Sequence, residues 1–408
     1  MVLAGRLIVL TAGVGTVLLT IALAARLLGG WQGIAAGLLA AVIPALVTRS
    51  SFVIVDTPAT FFVMGALVAA SLMTTSPRAW RWAALAGASS GLAFTSKYPA
   101  GAVAVATLAV VVLSPGWSSG RRLGLAATQV TTMAGAAVVS MPVLLTRPGA
   151  VRRDIDEQAA IYNAKTSVSY LDQLRRPAEV GTLLLVVAIV GVAVLLARGP
   201  TRRFTIAWLG FALVLLAFYL RSSYQPLRNL LPLVPVLCVA AVAAVDGLAR
   251  LVERRTALDR RRAAAVVMAA VSCWASWIVI DQSWPLQDQR NAKVDHRVKA
   301  RRWLNGEVGP GDRVLVAEEL AFLPSELRRL EGEVVVARFL STRTSPPTVA
   351  ALDVDGFDYV VTGRFERGTG PGWEPSTSVP PALDLLGTPV QALTGWSTNR
   401  EHIRIYEQ

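Results

Sequence analysis

Long apolar runs separated by short polar connections occupy the first two thirds of this 408-residue chain. A helix needs about 20 apolar residues to cross the hydrocarbon core of a bilayer. Runs of roughly that length predict about ten membrane-spanning helices. They lie near residues 6–28, 31–48, 57–74, 79–96, 98–114, 123–146, 180–198, 204–220, 227–249 and 262–281.

The pattern changes after residue 281. Segment 288–306 is polar and amphipathic, which predicts a helix, and short alternating runs predict strands. These strands lie within 312–319, 332–340, 355–363 and 400–408. We therefore expect a transmembrane region, 1–281, and a small soluble α/β domain, 282–408. The tail has neither a Gly-rich phosphate loop nor a nucleophile elbow, which favours a positioning or structural lid over an independent enzyme.

Composition agrees with a membrane protein: 53% of the residues are hydrophobic and 16% are charged, against about 25% charged in soluble chains. The net charge is +13. In a soluble chain this charge would suggest nucleic acid as a partner, but here the arginines lie between apolar runs and favour orientation in the membrane. No nucleic-acid partner is expected.

The arginines cluster in alternate connections, which predicts that those connections are cytoplasmic. The clusters lie at 78–81, 121–122, 198–203 and 250–262. The opposite connections and the C-terminal domain are then outside the cell membrane. The loop 147–179 is basic but falls on the outer side, so either its length lets it cross regardless of charge or it binds phosphate. The same topology places Met1 outside, and we expect a further segment upstream.

Asp56 is the first candidate for chemistry on the outer side. In VDTPATFF it is followed by Thr57 and Pro58, a sequence typical of an N-cap for the helix 57–74. A functional carboxylate is the alternative, and the two roles are compatible.

Lys97, in GLAFTSKYPAG, would lie on the same outer face, next to Tyr98. Its position alone favours a lysine that snorkels to the membrane interface. The alternative is that Lys97 holds a phosphate as a point charge.

The stretch RSSYQPLRNLLPLVP places Arg221, Tyr224 and Arg228 at the outer mouth of two helices. Arginine suits phosphate because its planar fork can donate two parallel hydrogen bonds. Interfacial anchoring explains one of these residues more easily than all three.

The external loop 151–177 carries Arg152, Arg153 and several acidic and tyrosine side chains. Its apolar positions are spaced for an amphipathic helix on the membrane surface. A lid over a lipid-phosphate cavity is the sharper interpretation.

VDTPATFF, GLAFTSKYPAG and PLRNLLPLVP occur in this order at the outer ends of successive predicted helices. Together they resemble the GT-C fold glycosyltransferases that use polyprenyl-phosphate sugars, especially the protein O-mannosyltransferase and aminoarabinose transferase group. The resemblance spans most of residues 1–281. It implies a multi-pass protein of the plasma membrane with an extracytoplasmic C-terminal domain.

The resemblance also implies a reaction. A sugar, mannose or another hexose or pentose, would pass from a polyprenyl-phosphate carrier to a hydroxyl of a protein, lipid or cell-envelope glycan. By position, Asp56 matches an acidic residue of the second external loop, Lys97 matches a phosphate-binding lysine, and Arg228 matches the arginine before the LLPLVP-like segment. Asp56 is then the candidate base, while Tyr98, Arg221, Tyr224, Arg152 and Arg153 are candidates for donor binding.

The family's principal acidic residue lies in a first external loop, which would precede Met1 here. We expect an upstream helix and acidic loop; otherwise the chain would be a degenerate homologue. No cofactor is certain. Asp56 alone is a poor site for a divalent cation, because hard cations require several oxygens.

A transporter or lipid flippase is the main alternative, since many spans would serve either function. No internal repeat of the kind common in transporters stands out. A non-catalytic membrane scaffold is the third possibility.

Overall fold

In the structure, a computed structural model, the described residues are 2–164, 169–176, 179–221, 225–255, 266, 269–270, 273–274, 276–278, 280–281, 296–317, 330–337, 357–363, 391–394 and 401–407. The chain divides into two compact units. The first comprises residues 1–163 and 167–285, and the second comprises 164–166 and 286–408.

The first unit is helical. Its helices are α1 (Val2–Leu27), α2 (Gly30–Val42), α3 (Pro44–Ser50), α4 (Asp56–Met73), α5 (Ala79–Ser96), α6 (Val103–Leu113), α7 (Ser119–Ser140), α8 (Val143–Thr146), α9 (Pro148–Ala164), α10 (Tyr170–Arg175), α11 (Thr182–Ala197), α12 (Gly199–Tyr219) and α13 (Val234–Arg255). Two 3-10 helices, Tyr98–Ala102 and Leu227–Leu233, precede α6 and α13 respectively.

Five of the described helical stretches are long and apolar enough to cross a membrane: 3–27, 56–73, 119–140, 199–219 and 227–251. The pair α2 and α3 would make a sixth span, bent by 61°. The bend falls at Pro44, which has no amide hydrogen to continue the α2 ladder. The predicted count of about ten spans stays a prediction, and most of the segment 262–281 lies outside the described residues.

Small residues let the helices of this unit approach closely. Gly87 and Gly91 lie one turn apart on α5, in the G-x-x-x-G spacing common between membrane helices. A side-chain carbon added at either position would collide with the backbone carbonyl oxygen of Gln129 or Met133 on α7. The outward faces remain apolar: Leu183 and Ile189 on α11 are 60% and 61% exposed. Such faces suit contact with lipid chains.

The second unit contains α14 (His296–Glu307) and five strands: β1 (Arg313–Ala317), β2 (Glu333–Ala337), β3 (Tyr359–Gly363), β4 (Gln391–Thr394) and β5 (Glu401–Glu407). The sheet order is β2-β1-β3-β5-β4. The strands β2, β1 and β3 are parallel, whereas β5 runs antiparallel to β3 and β4. Leu304 of α14 is buried with Val314, Val316 and Val361 of the sheet.

Each predicted strand segment contains a strand, and the predicted helix includes most of α14. The sequence did not predict β4, because QALT is short and lacks a clear alternation of apolar and polar positions.

Candidate functional site

Residues that are far apart in sequence meet at one end of the helical unit. The Lys97 ammonium lies 2.5 Å from Asp56 Oδ1 and 2.8 Å from Asn229 Oδ1. It also lies 5.7 Å from the centre of the Tyr219 ring. The elements involved are the start of α4, the end of α5, the second 3-10 helix and the end of α12. Asp56, Lys97, Asn229 and Tyr219 are called the Lys97 cluster below.

Asp56 is the first residue of α4, and Val55 occupies the cap position. The predicted N-cap role is therefore wrong: the Asp56 carboxylate is directed to Lys97 instead. Asp56 is only 3% exposed. Its negative charge at the first turn of α4 is favourable, because the helix dipole is positive at that end.

Lys97 stands between α5 and the first 3-10 helix, in an extended backbone conformation. The sequence favoured snorkelling to the interface, but this interpretation is wrong. The Lys97 side chain is 14% exposed, and its ammonium is held by Asp56 and Asn229. An ammonium can leave water only if acceptors replace its hydration, and these two side chains supply them.

Asn229 was not among the predicted site residues. It is 1% exposed, and both ends of its amide are engaged. Its Oδ1 accepts from Lys97, and its Nδ2 donates to the Tyr170 hydroxyl at 2.9 Å. The sequence did contain a signal: Asn229 is a polar residue at the start of the apolar run NLLPLVP. An amide that is buried there must form hydrogen bonds with other groups.

The short helix α10 is attached to the stretch that carries Asn229. The Tyr170 amide donates to Gln225 Oε1 at 3.3 Å. Gln173 donates through Nε2 to the Gln225 carbonyl and accepts through Oε1 from the Leu227 amide. Tyr170 is 4% exposed, and its ring meets the Tyr219 ring edge-on at 6.4 Å. Tyr170 is therefore packed into the helical unit, while Leu171 and Asp172 of α10 are exposed.

The predicted cationic residues differ in their surroundings. Arg228 is exposed, and its charge acts on the neighbouring Lys97. Arg221 is exposed just after the end of α12. On α9, Arg152 and Arg153 are exposed, and Arg152 pairs with Asp156 one turn away at 3.9 Å. A pair of this kind contributes little.

Two predicted residues contribute less to this picture. Tyr98 is half-buried, and its ring packs at 5.3 Å from the Phe94 ring. Tyr224 lies outside the described residues. Among the residues that the structure does describe, His, Cys, Asp and Glu side chains form no group of three that could hold a metal.

The geometry of the Lys97 cluster suits the binding of a phosphate. One ammonium is held by a carboxylate and an amide, and the exposed Arg228 immediately precedes Asn229 in the chain. The positive charges of Lys97 and Arg228 exceed the single negative charge of Asp56. A preorganised cation of this kind stabilises negative charge without first reorganising its surroundings.

Comparison with known proteins finds one family model and several solved structures that are similar to this chain. Residues 2–145 match the model of the dolichyl-phosphate-mannose-protein mannosyltransferase family. A search of curated proteins finds no match.

Two of the similar solved structures are of ArnT from Cupriavidus metallidurans. The structure bound to undecaprenyl phosphate has a TM-score of 0.59 at 16% identity, and the apo structure has 0.53 at 15%. Each match covers 98% of this chain and 83% of the ArnT chain.

An Archaeoglobus fulgidus oligosaccharyltransferase tethered with an acceptor peptide is also similar, with a TM-score of 0.52 at 14% identity. This match covers 88% of the present chain and 57% of that enzyme. The comparisons confirm the predicted architecture: the chain has the GT-C fold, and its residues 2–145 carry the sequence pattern of the dolichyl-phosphate-mannose-protein mannosyltransferase family.

Proposed function

We propose that the protein is a membrane glycosyltransferase that takes a sugar from a polyprenyl-phosphate carrier. The observation that carries the proposal is the buried Lys97 ammonium, held by Asp56 and Asn229 beside the exposed Arg228. This cluster lies in a fold that resembles ArnT, which has been solved with undecaprenyl phosphate bound.

In the proposed reaction an acceptor hydroxyl oxygen attacks the anomeric carbon of the sugar. The bond between that carbon and the phosphate oxygen breaks, and polyprenyl phosphate leaves with the bonding electrons. Lys97 and Arg228 stabilise the charge on the departing phosphate. The proton of the acceptor hydroxyl passes to solvent water.

Asp56 was the predicted base. Its ion pair with Lys97 and its 3% exposure support a second role for the carboxylate. A negative partner keeps the buried ammonium charged and in place, so that it can meet a phosphate oxygen. Asp56 acts in this scheme as a positioning residue for Lys97.

The comparisons also suggest which sugar and which acceptor to test first. The matched family model suggests mannose, and the oligosaccharyltransferase carries an acceptor peptide. We therefore propose a mannosyl donor and a protein acceptor as the first pair to try. Other hexoses or pentoses, and lipid or cell-envelope glycan acceptors, are the alternatives.

The charge pattern supports an orientation in the plasma membrane. Asp56, Lys97 and Asn229 share one end of the helical unit, while Arg198 and Arg250 meet at Asp246 near the other helix ends. We propose that the Lys97 end is extracytoplasmic, because the arginine clusters favour the cytoplasmic side. By the same alternation, the C-terminal domain, 282–408, would be extracytoplasmic.

The direct test uses purified full-length protein in detergent with polyprenyl-phosphate mannose and a hydroxyl-bearing peptide. We expect release of polyprenyl phosphate and mannosylation of the peptide, and loss of both in Lys97→Met. Movement of the intact lipid between leaflets of a proteoliposome without release of polyprenyl phosphate would instead identify a flippase.

A further inference from the structure

We infer that Asn229 is a positioning residue that sets the direction of the Lys97 ammonium, and that Tyr170 on α10 sets the orientation of the Asn229 amide. This inference rests on the proposed function, since it assigns how the phosphate-binding lysine is held.

An ammonium group has three N–H bonds at fixed tetrahedral angles. One of those of Lys97 donates to Asp56 Oδ1 and another to Asn229 Oδ1. Fixing two of the three N–H directions fixes the third. Among the described residues no third side chain accepts a hydrogen bond from Lys97, so this N–H can donate to a ligand oxygen. With Asp56 alone, the side-chain torsions of Lys97 could move Cε about the Nζ–Oδ1 axis and turn the other N–H bonds with it. Asn229 therefore decides where the third N–H points.

The amide of Asn229 is itself oriented by Lys97 and Tyr170. The Tyr170 hydroxyl accepts from Nδ2, which leaves Oδ1 for Lys97. A flipped amide would direct N–H groups at the ammonium, an unfavourable arrangement of donor against donor. Removal of the Tyr170 hydroxyl would weaken this preference without touching the Lys97–Asn229 bond directly.

The position of Tyr170 depends in turn on α10. Hydrogen bonds from Tyr170 and Gln173 to Gln225 and Leu227 connect α10 to the 3-10 helix that bears Asn229. The external loop thereby reaches the lysine through two side chains, Tyr170 and Asn229. A set of mutually supporting hydrogen bonds of this kind is stronger than its members taken singly.

The experiment measures the affinity of the full-length protein for polyprenyl phosphate in four forms: wild type, Asn229→Leu, Lys97→Met and the double variant. We expect Asn229→Leu to weaken binding by about 10-fold, because a hydrogen bond to a charged group is lost. Lys97→Met should weaken binding further, and the double variant should equal Lys97→Met, because Asn229 acts through the lysine.

A separate variant, Tyr170→Phe, should weaken binding by about 3-fold, which is the low end of the effect of losing a single hydrogen bond.

Gln32→Leu is the matched control. Gln32 is also an amide that is 1% exposed and bonded to an aspartate, Asp246, at 3.0 Å. Thermal stability should fall in both amide variants, but lipid affinity should fall only in Asn229→Leu. A purely structural role for Asn229 would lower affinity equally in the presence and absence of Lys97, or leave affinity unchanged.

The outcomes separate this inference from the proposed function. If wild-type protein binds polyprenyl phosphate and Asn229→Leu binds it equally well, the inference is overturned and the function stands. If wild-type protein does not bind polyprenyl phosphate at all, the proposed function fails, and the inference fails with it.

Discussion

Two buried aspartates, at opposite ends of the helical unit, are satisfied in different ways. Asp56 and Asp246 are 3% and 4% exposed respectively. Asp246 accepts from Gln32 at 3.0 Å, from Arg198 at 2.8 Å and from Arg250 at 3.0 Å. Among the described residues, Asp56 has a single side-chain donor, Lys97.

This difference separates a carboxylate that joins helices from one that holds a cation for a ligand. The donors around Asp246 come from α2, from the junction of α11 and α12, and from α13, so its network ties these helices together. The donor of Asp56 is shared with Asn229 and stands beside the exposed Arg228, and its ammonium has a further N–H to offer a ligand. Burial of the carboxylate is common to both sites. Asp246 accepts from three side chains, whereas in the Lys97 cluster one ammonium donates to both Asp56 and Asn229.

The largest expected effect is on stability. Asp246→Ala would leave the Arg198 guanidinium, 20% exposed, without its carboxylate. Loss of one partner from a buried ion pair costs about 3–5 kcal/mol, and the lower end applies because both arginines reach solvent. Reversible unfolding in mixed micelles would measure this loss. Unchanged stability would show that Asp246 does not hold its neighbouring helices together.

Lys97→Met should lower the rate of polyprenyl phosphate release by about 100-fold, because the leaving phosphate loses a preorganised cation. The variant keeps the length and the apolar stem of lysine. Its rate should be normalised to folded protein, with Arg198→Met as the matched loss of a cation at the other end. Equal rates in the two variants would show that Lys97 has no specific role in the reaction.

Asp56→Asn separates anchoring from general base catalysis. An anchor retains one acceptor oxygen after the substitution, so we expect a loss of about 10-fold that falls on the affinity for polyprenyl phosphate as well as on kcat. A general base would instead lower kcat by about 100-fold or more at an unchanged affinity. Steady-state kinetics combined with lipid binding distinguish the two.

Arg228→Ala should weaken polyprenyl phosphate binding by about 5-fold, since the arginine is exposed and its charge is partly screened. The effect should shrink as salt is raised. A salt-independent loss would argue that Arg228 acts through packing instead.

The smallest effect is expected on α9. Arg152→Ala should change the rate by less than about 2-fold, because its partner Asp156 is on the same exposed helix face. A larger loss, measured in the same release assay, would bring α9 into the donor site and support the lid interpretation of this loop.

The sequence predicted two residues of the Lys97 cluster but not their contacts. Asp56 and Lys97 could be identified because charged residues at the ends of apolar runs are rare and fall on the same side once the arginines orient the spans. The roles assigned to them were less accurate: Asp56 is not the cap, and Lys97 does not snorkel. Both errors have one cause. The local sequence indicates where a helix ends, but it does not indicate which side chain of another helix lies against that end.

Hydrophobic patterning alone predicted a helical region followed by an α/β tail, because bilayer thickness sets the length of an apolar helix and the sheet pleat sets the alternation of strands. The contacts of Lys97 with Asp56 and Asn229, and of Asn229 with Tyr170, become visible in the folded chain alone. The Lys97–Asn229 bond joins residues 132 positions apart. No local preference encodes a contact of that separation; it arises when packed helix ends bury polar groups that must then find one another.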